Sequence, residues 1–213
     1  SKDAYEKEYN SHNAFAEHYG QHREMLELDV DHLPILREEC HKNKVKFMST
    51  PFDEPSLDLL CDIGVDALKI ASFDLGNLPF YKKIAKKGLP VVMSTGGGDI
   101  DQIKDSAEIL INEIEDISIL HCVSEYPCPH DRLGLEAIEE FKNLFPSCKI
   151  GVSDHFNGTL SGPVAYMLGA RVFEKHVTLN RAWKGTDHSF SLEPNGFKNI
   201  VRDIKRVPEM MQR

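Results

Sequence analysis

Two histidines lie at the ends of short apolar runs, where the side chains of neighbouring strands can meet. His155 directly follows the run KIGVSD (149–154), and His176 lies near the end of ARVFEKHV (170–177). Neighbouring strands lie about 4.8 Å apart, so the two imidazoles can share one ion. Imidazole suits Mn, Fe, Co or Zn, and two protein ligands leave positions for water and substrate. A pair of hydrogen-bonded histidines without a metal is the alternative.

A lysine lies inside another apolar run, ALKIAS (67–72). Burial of an unpaired ammonium group is costly, so Lys69 is expected to face an anion or to form a Schiff base with a carbonyl substrate. The alternative is a lysine that extends past the helices to water. Because side chains alternate along a strand, Lys69 and Ser72 can both point inward only if the strand bends at its end.

Three loops that follow apolar runs carry further polar groups. The segment STGGG (94–98) combines hydroxyls with free backbone N–H groups ahead of a predicted helix, as phosphate-binding loops do. It lacks the patterns of a P-loop and of a dinucleotide-binding site. SEYPCP (124–129) displays Tyr126 on a loop stiffened by two prolines, and GTDHSFSLEP (185–194) presents Asp187 to a sugar hydroxyl. A simple turn and a solvated loop are the alternatives for these last two segments.

Six short apolar runs position these groups, and amphipathic helical patterns separate them. Each run is rich in Val, Ile, Phe or Leu and is too short for a typical helix, as buried parallel strands are. Their alternation with helices, at intervals of roughly 20–30 residues, indicates right-handed βαβ units and a parallel sheet. The runs are VKFMST (45–50), ALKIAS (67–72), PVVMST (90–95), ISILHC (117–122), KIGVSD (149–154) and ARVFEKHV (170–177).

The polar residues at the C-terminal ends of these runs favour a (β/α)8 TIM-type barrel over an open doubly wound sheet. A barrel enzyme builds its site from the ends of many strands, whereas a doubly wound sheet concentrates it at one switch point. The sequence before Val45 indicates two helices, over 14–28 and about 31–43, and no strand. We therefore expect an incomplete α/β barrel of about six βα units, with the first two strands absent.

Composition limits the class of protein. A chain of 213 residues is long enough for one sizeable domain, expected over residues 1–213. Its net charge of -9 argues against a large surface for nucleic acid, and no apolar run approaches the length of a membrane span. The five cysteines are odd in number and show no CxxC spacing, which indicates reduced thiols. We expect a cytoplasmic protein that binds neither nucleic acid nor membranes.

Taken together, the motifs resemble those of the sialic acid synthase (NeuB-like) family. The resemblance covers approximately residues 20–207 and implies a transferase of the N-acetylneuraminate synthase type. Such enzymes condense phosphoenolpyruvate with an N-acylated sugar aldehyde, such as N-acetylmannosamine or a related hexose, and release phosphate. The motifs, in the family's order and spacing, are STPFD (49–53), KIAS (69–72), MSTGG (93–97), HC-x-S-x-YP-x-P (121–129), GVSDH (151–155), GA-x-VFEKH (169–176) and GTDHSFSL (185–192).

The resemblance also implies roles for individual residues. His155 and His176 match the ligands of a divalent ion, typically Mn²⁺, with Mg²⁺ or Co²⁺ as alternatives. Asp74 matches a catalytic position at which the family usually has Glu, and Glu174 is the candidate that orients water or a metal ligand. The expected substrate-binding residues are Thr50, Lys69, Ser72, Ser94 and Ser153 for phosphoenolpyruvate, Ser124 and Tyr126 near the substrates, and Asp187 for the sugar.

Two departures from the family pattern leave alternatives open. Family members begin with two further strands and usually end in a small antifreeze-like domain, and we expect neither in this chain. An arc of six strands cannot close, so we expect a homodimer or completion by another segment. A non-catalytic or truncated homologue that binds metal and phosphoenolpyruvate without turnover is one alternative function. Another (β/α)8 aldolase or epimerase is a third interpretation.

Overall fold

Six parallel strands form the central sheet of the computed structural model, which describes residues 2–212. The strands pair in chain order from the first to the last. This order confirms the predicted parallel sheet, and the runs 117–122 and 149–154 are strands over their whole length. The strands are β1 (Met48–Ser49), β2 (Ala67–Ile70), β3 (Val91–Ser94), β4 (Ile117–Cys122), β5 (Lys149–Asp154) and β6 (Val172–Lys175).

Within residues 2–212, three α-helices precede the sheet and one follows each strand. They are α1 (Lys2–Tyr5), α2 (Tyr19–Glu24), α3 (His32–Lys42), α4 (Glu54–Ile63), α5 (Leu78–Ala85), α6 (Ile100–Ile111), α7 (Ala137–Leu144), α8 (Ser161–Leu168) and α9 (Pro194–Met211). Helix α4 begins after Asp53, whose carboxylate accepts the backbone N–H of Ser56 at 2.8 Å. Asp99 forms a capping box with Gln102 at the start of α6, so the STGGG loop precedes a helix as predicted.

The two faces of the sheet differ in polarity because side chains alternate along each strand. Ile70, Met93 and Ile119 are in register on adjacent strands and are almost fully buried in the core that the sheet forms with the helices. The opposite face carries polar side chains, among them Lys69 and Ser153. The alternation therefore places the apolar core on one side of the sheet and the groups capable of chemistry on the other.

One predicted helix is wrong. The amphipathic pattern over 14–28 predicts a single helix, but only the six residues of α2 are helical there. The backbone N–H groups of Tyr9 and Tyr19 donate to the carbonyls of Glu17 and Lys7, each at 2.8 Å. These two hydrogen bonds form a short antiparallel contact, which occupies the carbonyl of Glu17 and the N–H of Tyr19. A longer helix would need both groups, so α2 begins at Tyr19. The second predicted helix, about 31–43, is confirmed as α3.

The strands β1 and β6 each have one strand partner within residues 2–212, so the sheet has two open edges. With their helices, the six strands form a half-barrel of the α/β class. In the described part of the chain, no helix combines the length and the apolar character that crossing a membrane requires.

Candidate active site

A cleft of about 450 Å³ lies on the polar face of the sheet, at the C-terminal ends of strands β2 to β6. It brings together most of the residues that the sequence singles out. The predicted site residues that line it are Lys69, Ser72, Ser94, Ser124, Tyr126, Ser153, His155, Glu174 and His176.

Lys69 is a buried cation on the wall of this cleft, with 7% of its surface exposed. Its ammonium donates to the hydroxyl of Ser94 at 2.8 Å and to the carbonyl of Ile70 at 3.0 Å. The carboxylate of Glu174 lies 3.4 Å away as an ion-pair partner, and the Ser153 hydroxyl donates to the same carboxylate at 3.4 Å. The sequence predicts that Lys69 faces an anion, and within the protein this anion is the carboxylate of Glu174.

The predicted bend after β2 lets Ser72 and Lys69 line the same cleft. The strand ends at Ile70, and a 3₁₀ turn over Ser72–Asp74 follows directly. The Ser72 hydroxyl accepts the backbone N–H of Gly96 at 2.9 Å. A Cβ atom at Gly96 would lie 2.2 Å from the hydroxyl oxygen of Ser124, so a larger residue at this position would displace that hydroxyl.

The two predicted metal ligands lie side by side, with ring centroids 5.2 Å apart. His155 Nδ1 is 2.7 Å from the carbonyl oxygen of Val123, which can only accept, so Nδ1 carries a proton and Nε2 is the ring nitrogen that remains for other partners. The ring of Tyr126 packs on that of His155, with the ring centroids 3.9 Å apart. Burial raises the pKa of the Tyr126 phenol to about 12. Two imidazoles held in this way can provide part of a metal site.

The two histidines titrate in different environments. Burial lowers the pKa of His176, and the carboxylate of Asp187, whose Oδ2 lies 3.7 Å from Nδ1, opposes that effect in part. Burial also acts to lower the pKa of His155, but hydrogen bonds to Cys122 and to the Val123 carbonyl outweigh it, and the net shift is upward. At neutral pH, the His176 imidazole is therefore the more readily available of the two as a neutral ligand.

A buried ion pair lies on the other face of the sheet, directly behind the histidines. Lys175 Nζ is 2.7 Å from Asp154 Oδ2, and both side chains are almost fully buried. Lys175 also donates to the carbonyl of Phe156, and the backbone N–H of Phe156 donates to Asp154 Oδ1 at 2.8 Å. A further hydrogen bond to Asp154 comes from the Ser161 hydroxyl. One ammonium thus holds the residues on both sides of His155.

Cys122 is a cleft residue that our sequence analysis did not assign to the site. Its thiol accepts a hydrogen bond from the Ser72 hydroxyl at 3.6 Å. Burial opposes ionisation of this thiol, but hydrogen bonds from His155 and Ser72 outweigh it and lower the pKa. The sequence could have indicated this role, because Cys122 ends the apolar run 117–122. The structure places it in register with Ser153 on the neighbouring strand.

Three predicted site residues do not line this cleft. Thr50 directly follows β1, and Phe52 lies at the cleft edge instead. Asp74 is buried and accepts a hydrogen bond from Asn77 at 3.2 Å, while its second carboxylate oxygen has no hydrogen-bond partner among the described residues. Asp187 lines an adjoining cleft and reaches the site through its contact with His176. The roles assigned to Thr50, Asp74 and Asp187 stay predictions.

Comparison with known proteins identifies the family. The family model described as "NeuB family" matches residues 1–213. This chain belongs to the NeuB family. It is 34% identical over 207 residues to the N-acetylneuraminate-9-phosphate synthase of Homo sapiens, covering 97% of this chain and 58% of that protein. It is 37% identical over 189 residues to the N,N'-diacetyllegionaminic acid synthase of Campylobacter jejuni, covering 87% of this chain and 56% of that protein.

The fold is also similar to that of a solved crystal structure. The crystal structure of N-acetylneuraminic acid (sialic acid) synthetase from Leptospira borgpetersenii superposes with a TM-score of 0.84 at 32% identity, covering 92% of this chain and 70% of that one. This chain spans a little more than half the length of the curated relatives that it matches.

Proposed function

We propose that this NeuB-family chain is the barrel part of a nonulosonic acid synthase, a transferase that condenses phosphoenolpyruvate with an N-acylated sugar aldehyde. The supporting observation is that one cleft is lined both by the buried cation Lys69 and by the pair His155 and His176. An anionic donor requires the first, and activation of an aldehyde suits the second. The relatives named as acid synthases support the same class of reaction. We propose further that the six strands belong to a (β/α)8 barrel.

Lys69 and the surrounding hydroxyls bind the donor in this proposal. Cations and oriented hydroxyl donors stabilise phosphate and carboxylate groups. Ser94 and Ser153 already lie in the hydrogen-bond network around Lys69, and Ser72 lines the same wall of the cleft. When the donor binds to the Lys69 ammonium, Glu174 is released from its ion pair and becomes available to a water molecule.

His155 and His176 hold a divalent cation in this proposal, Mn²⁺ with Mg²⁺ or Co²⁺ as alternatives. The hydrogen bond from His155 Nδ1 to Val123, which leaves Nε2 to act as a ligand, and the ring spacing of 5.2 Å support such an ion. Among residues 2–212, no group of three or more His, Cys, Asp or Glu side chains is placed to hold a metal. The remaining positions are therefore left to water and substrate. When bound, the cation polarises the aldehyde oxygen of the open-chain sugar.

The reaction balances with one water molecule. C3 of phosphoenolpyruvate forms a bond to the aldehyde carbon, water adds at C2, and the tetrahedral intermediate loses phosphate by cleavage of its C–O bond. Glu174, released from Lys69 and still beside the Ser153 hydroxyl, accepts the proton of that water, and this proton is passed on to the oxygen of the former aldehyde. The acceptor is N-acetylmannosamine or a related hexose, with Asp187 at its hydroxyls. The polar groups that line the first cleft support turnover over binding alone.

Electron paramagnetic resonance of Mn²⁺ tests the metal assignment. We expect the chain to bind Mn²⁺ and His155→Ala to weaken that binding by about 10- to 100-fold, since it removes one of two protein ligands. His32→Ala, which replaces an exposed histidine at the start of α3, is the matched control and leaves the affinity unchanged. Equal Mn²⁺ affinities for the chain and His155→Ala would exclude this site.

Phosphate release tests the reaction itself. The chain is incubated with phosphoenolpyruvate, Mn²⁺ and a panel of sugar aldehydes, and inorganic phosphate is measured over time. The proposal requires release that depends on both the sugar and the metal. Tight Mn²⁺ binding without release for any sugar would support the non-catalytic alternative instead.

A further inference from the structure

Asp74 lies in the turn 72–77, which joins β2 to α5, and its carboxylate is buried outside the first cleft. The residue is 5% exposed and does not line that cleft. One carboxylate oxygen accepts the side-chain amide of Asn77 at 3.2 Å, and the other has no hydrogen-bond partner among the residues that the structure describes. Buried polar groups are usually paired, so this carboxylate requires an explanation. In this position it contacts the turn and not the space where the substrates would bind.

The residues around Asp74 fasten the turn to two helices. Its hydrogen bond with Asn77 ties the turn to the residue that precedes α5. The fully buried Ser106 of α6 accepts the backbone N–H of Gly76 at 3.2 Å. Tyr81 of α5 is also fully buried beside them: burial raises the pKa of its phenol, the Ser106 hydroxyl opposes that effect, and the charge of Asp74 adds to it. The turn is therefore fixed from behind by α5 and α6.

The front of the same turn contacts the STGGG loop (94–98). The Ser72 hydroxyl accepts the backbone N–H of Gly96 at 2.9 Å, and both residues line the first cleft. A Cβ atom at Gly98 would overlap the side chain of Leu75, so the loop packs directly on the turn. A shift of the turn would therefore move two parts of the cleft wall at once, the Ser72 hydroxyl and the loop.

We propose, on the basis of the function proposed above, that Asp74 is a positioning residue of the donor site. Together with Ser106 it fixes the turn on α5 and α6, and the turn keeps Ser72 and the STGGG loop where the donor binds. Its carboxylate takes no part in proton transfer. This differs from the catalytic role that the family resemblance implies at this position, where the family usually has Glu. The side chain of Asp is one methylene shorter and has less reach toward the cleft.

Amide hydrogen exchange followed by NMR tests this proposal without any substrate. Asp74→Ala leaves the Asn77 amide without its acceptor, and Ser106→Ala does the same to the Gly76 N–H. We expect each variant to exchange the Gly96 N–H about 5- to 10-fold faster relative to the β5 amides, as loss of one hydrogen bond allows. Because the β5 amides report on the stability of the sheet, this ratio separates a local effect from general destabilisation.

Asp74→Asn and Ser118→Ala are the matched controls. The new amide at position 74 keeps an oxygen that can accept from Asn77, so this variant should have the wild-type ratio at Gly96. Ser118 is buried on β4, outside both the turn and the first cleft, and its replacement should leave the ratio unchanged. An unchanged ratio in either Asp74→Ala or Ser106→Ala, or an equal increase in Ser118→Ala, would overturn the proposal.

Phosphate release separates a positioning role from a catalytic one. Asp74→Asn should keep kcat within about threefold, whereas loss of a carboxylate that transfers a proton costs about 100- to 10,000-fold. Asp74→Ala and Ser106→Ala should raise KM for phosphoenolpyruvate by about 5- to 10-fold and change kcat less. A kcat loss of about 100-fold in Asp74→Asn, with the wild-type ratio at Gly96, would contradict the proposal. Absence of turnover in the wild-type chain contradicts the synthase, and the exchange ratio then decides the positioning role alone.

Discussion

At the scale of single residues, the feature that most affects function is the buried charge of Lys69. Replacing it with methionine keeps the side-chain length but removes the ammonium that binds the donor in our proposal. We expect Lys69→Met to weaken phosphoenolpyruvate binding by at least about tenfold, as expected for loss of a charge-assisted hydrogen bond. Calorimetric titration measures this, and Lys104→Met, at an exposed position of α6, is the control. Unchanged affinity in Lys69→Met would show that the donor binds elsewhere.

Cys122 gives a second residue-scale prediction, because its pKa shift is opposite in direction to that of Cys148. Hydrogen bonds from His155 and Ser72 outweigh burial and lower the pKa of Cys122, whereas burial raises that of Cys148. The thiolate is the reactive form, so the alkylation rate of Cys122 should rise at a lower pH than that of Cys148. Iodoacetamide labelling between pH 6 and 10, followed by peptide mass spectrometry, measures both midpoints in one sample. The reverse order would contradict the hydrogen bonding described for Cys122.

At the scale of elements, the ion pair between Lys175 and Asp154 joins β6 to β5 behind the two histidines. Lys175→Met leaves a buried carboxylate unpaired, which should lower the free energy of unfolding by about 3–5 kcal/mol. It also frees the residues on both sides of His155, so we expect Mn²⁺ affinity to fall by about tenfold or more. Urea unfolding and Mn²⁺ titration measure the two effects.

Lys149→Met is the matched control for the buried pair. Lys149 pairs with Asp116 at 2.6 Å across β4 and β5, but at the opposite end of the sheet and at an exposed position. An exposed pair contributes about 0–1 kcal/mol, and its loss should leave Mn²⁺ affinity unchanged. If Lys175→Met lost stability but kept the wild-type Mn²⁺ affinity, the pair would support the fold without positioning His155.

The elements also show where sequence patterns were sufficient and where they were not. Strands β4 and β5 match their apolar runs because a buried parallel strand requires continuous apolar character. The helix predicted over 14–28 was wrong because periodicity does not reveal the antiparallel contact between Tyr9 and Glu17. Most of the residues that line the site could be predicted because side chains alternate along strands. The orientation of Asp74 could not, because it depends on a 3₁₀ turn that no sequence pattern specified. Cys122 was overlooked because an apolar run conceals its polar surroundings.

At the scale of the whole molecule, the two open edges of the sheet govern association. The strands β1 and β6 each have one strand partner within residues 2–212, and such edge strands pair readily with other chains. We expect the chain to form dimers or larger assemblies as its concentration rises. Multi-angle light scattering across a dilution series measures this. A constant mass of 24.1 kDa would contradict the expectation.

The hydrogen bond between Asn13 and Gly185 joins segments that are 172 residues apart in the chain. The entropic cost of closing a loop rises with its length, so the adjoining cleft, which Asp187 and Gly185 line, is held by the longest and least favourable closure at the site. During synthesis, this cleft can form only after the residues up to Ser191 have left the ribosome. On warming, it should be the first part of the site to open, while the sheet and the first cleft persist. The contact proposed between Asp187 and the acceptor sugar would then be lost at a lower temperature than the contact between Lys69 and the donor.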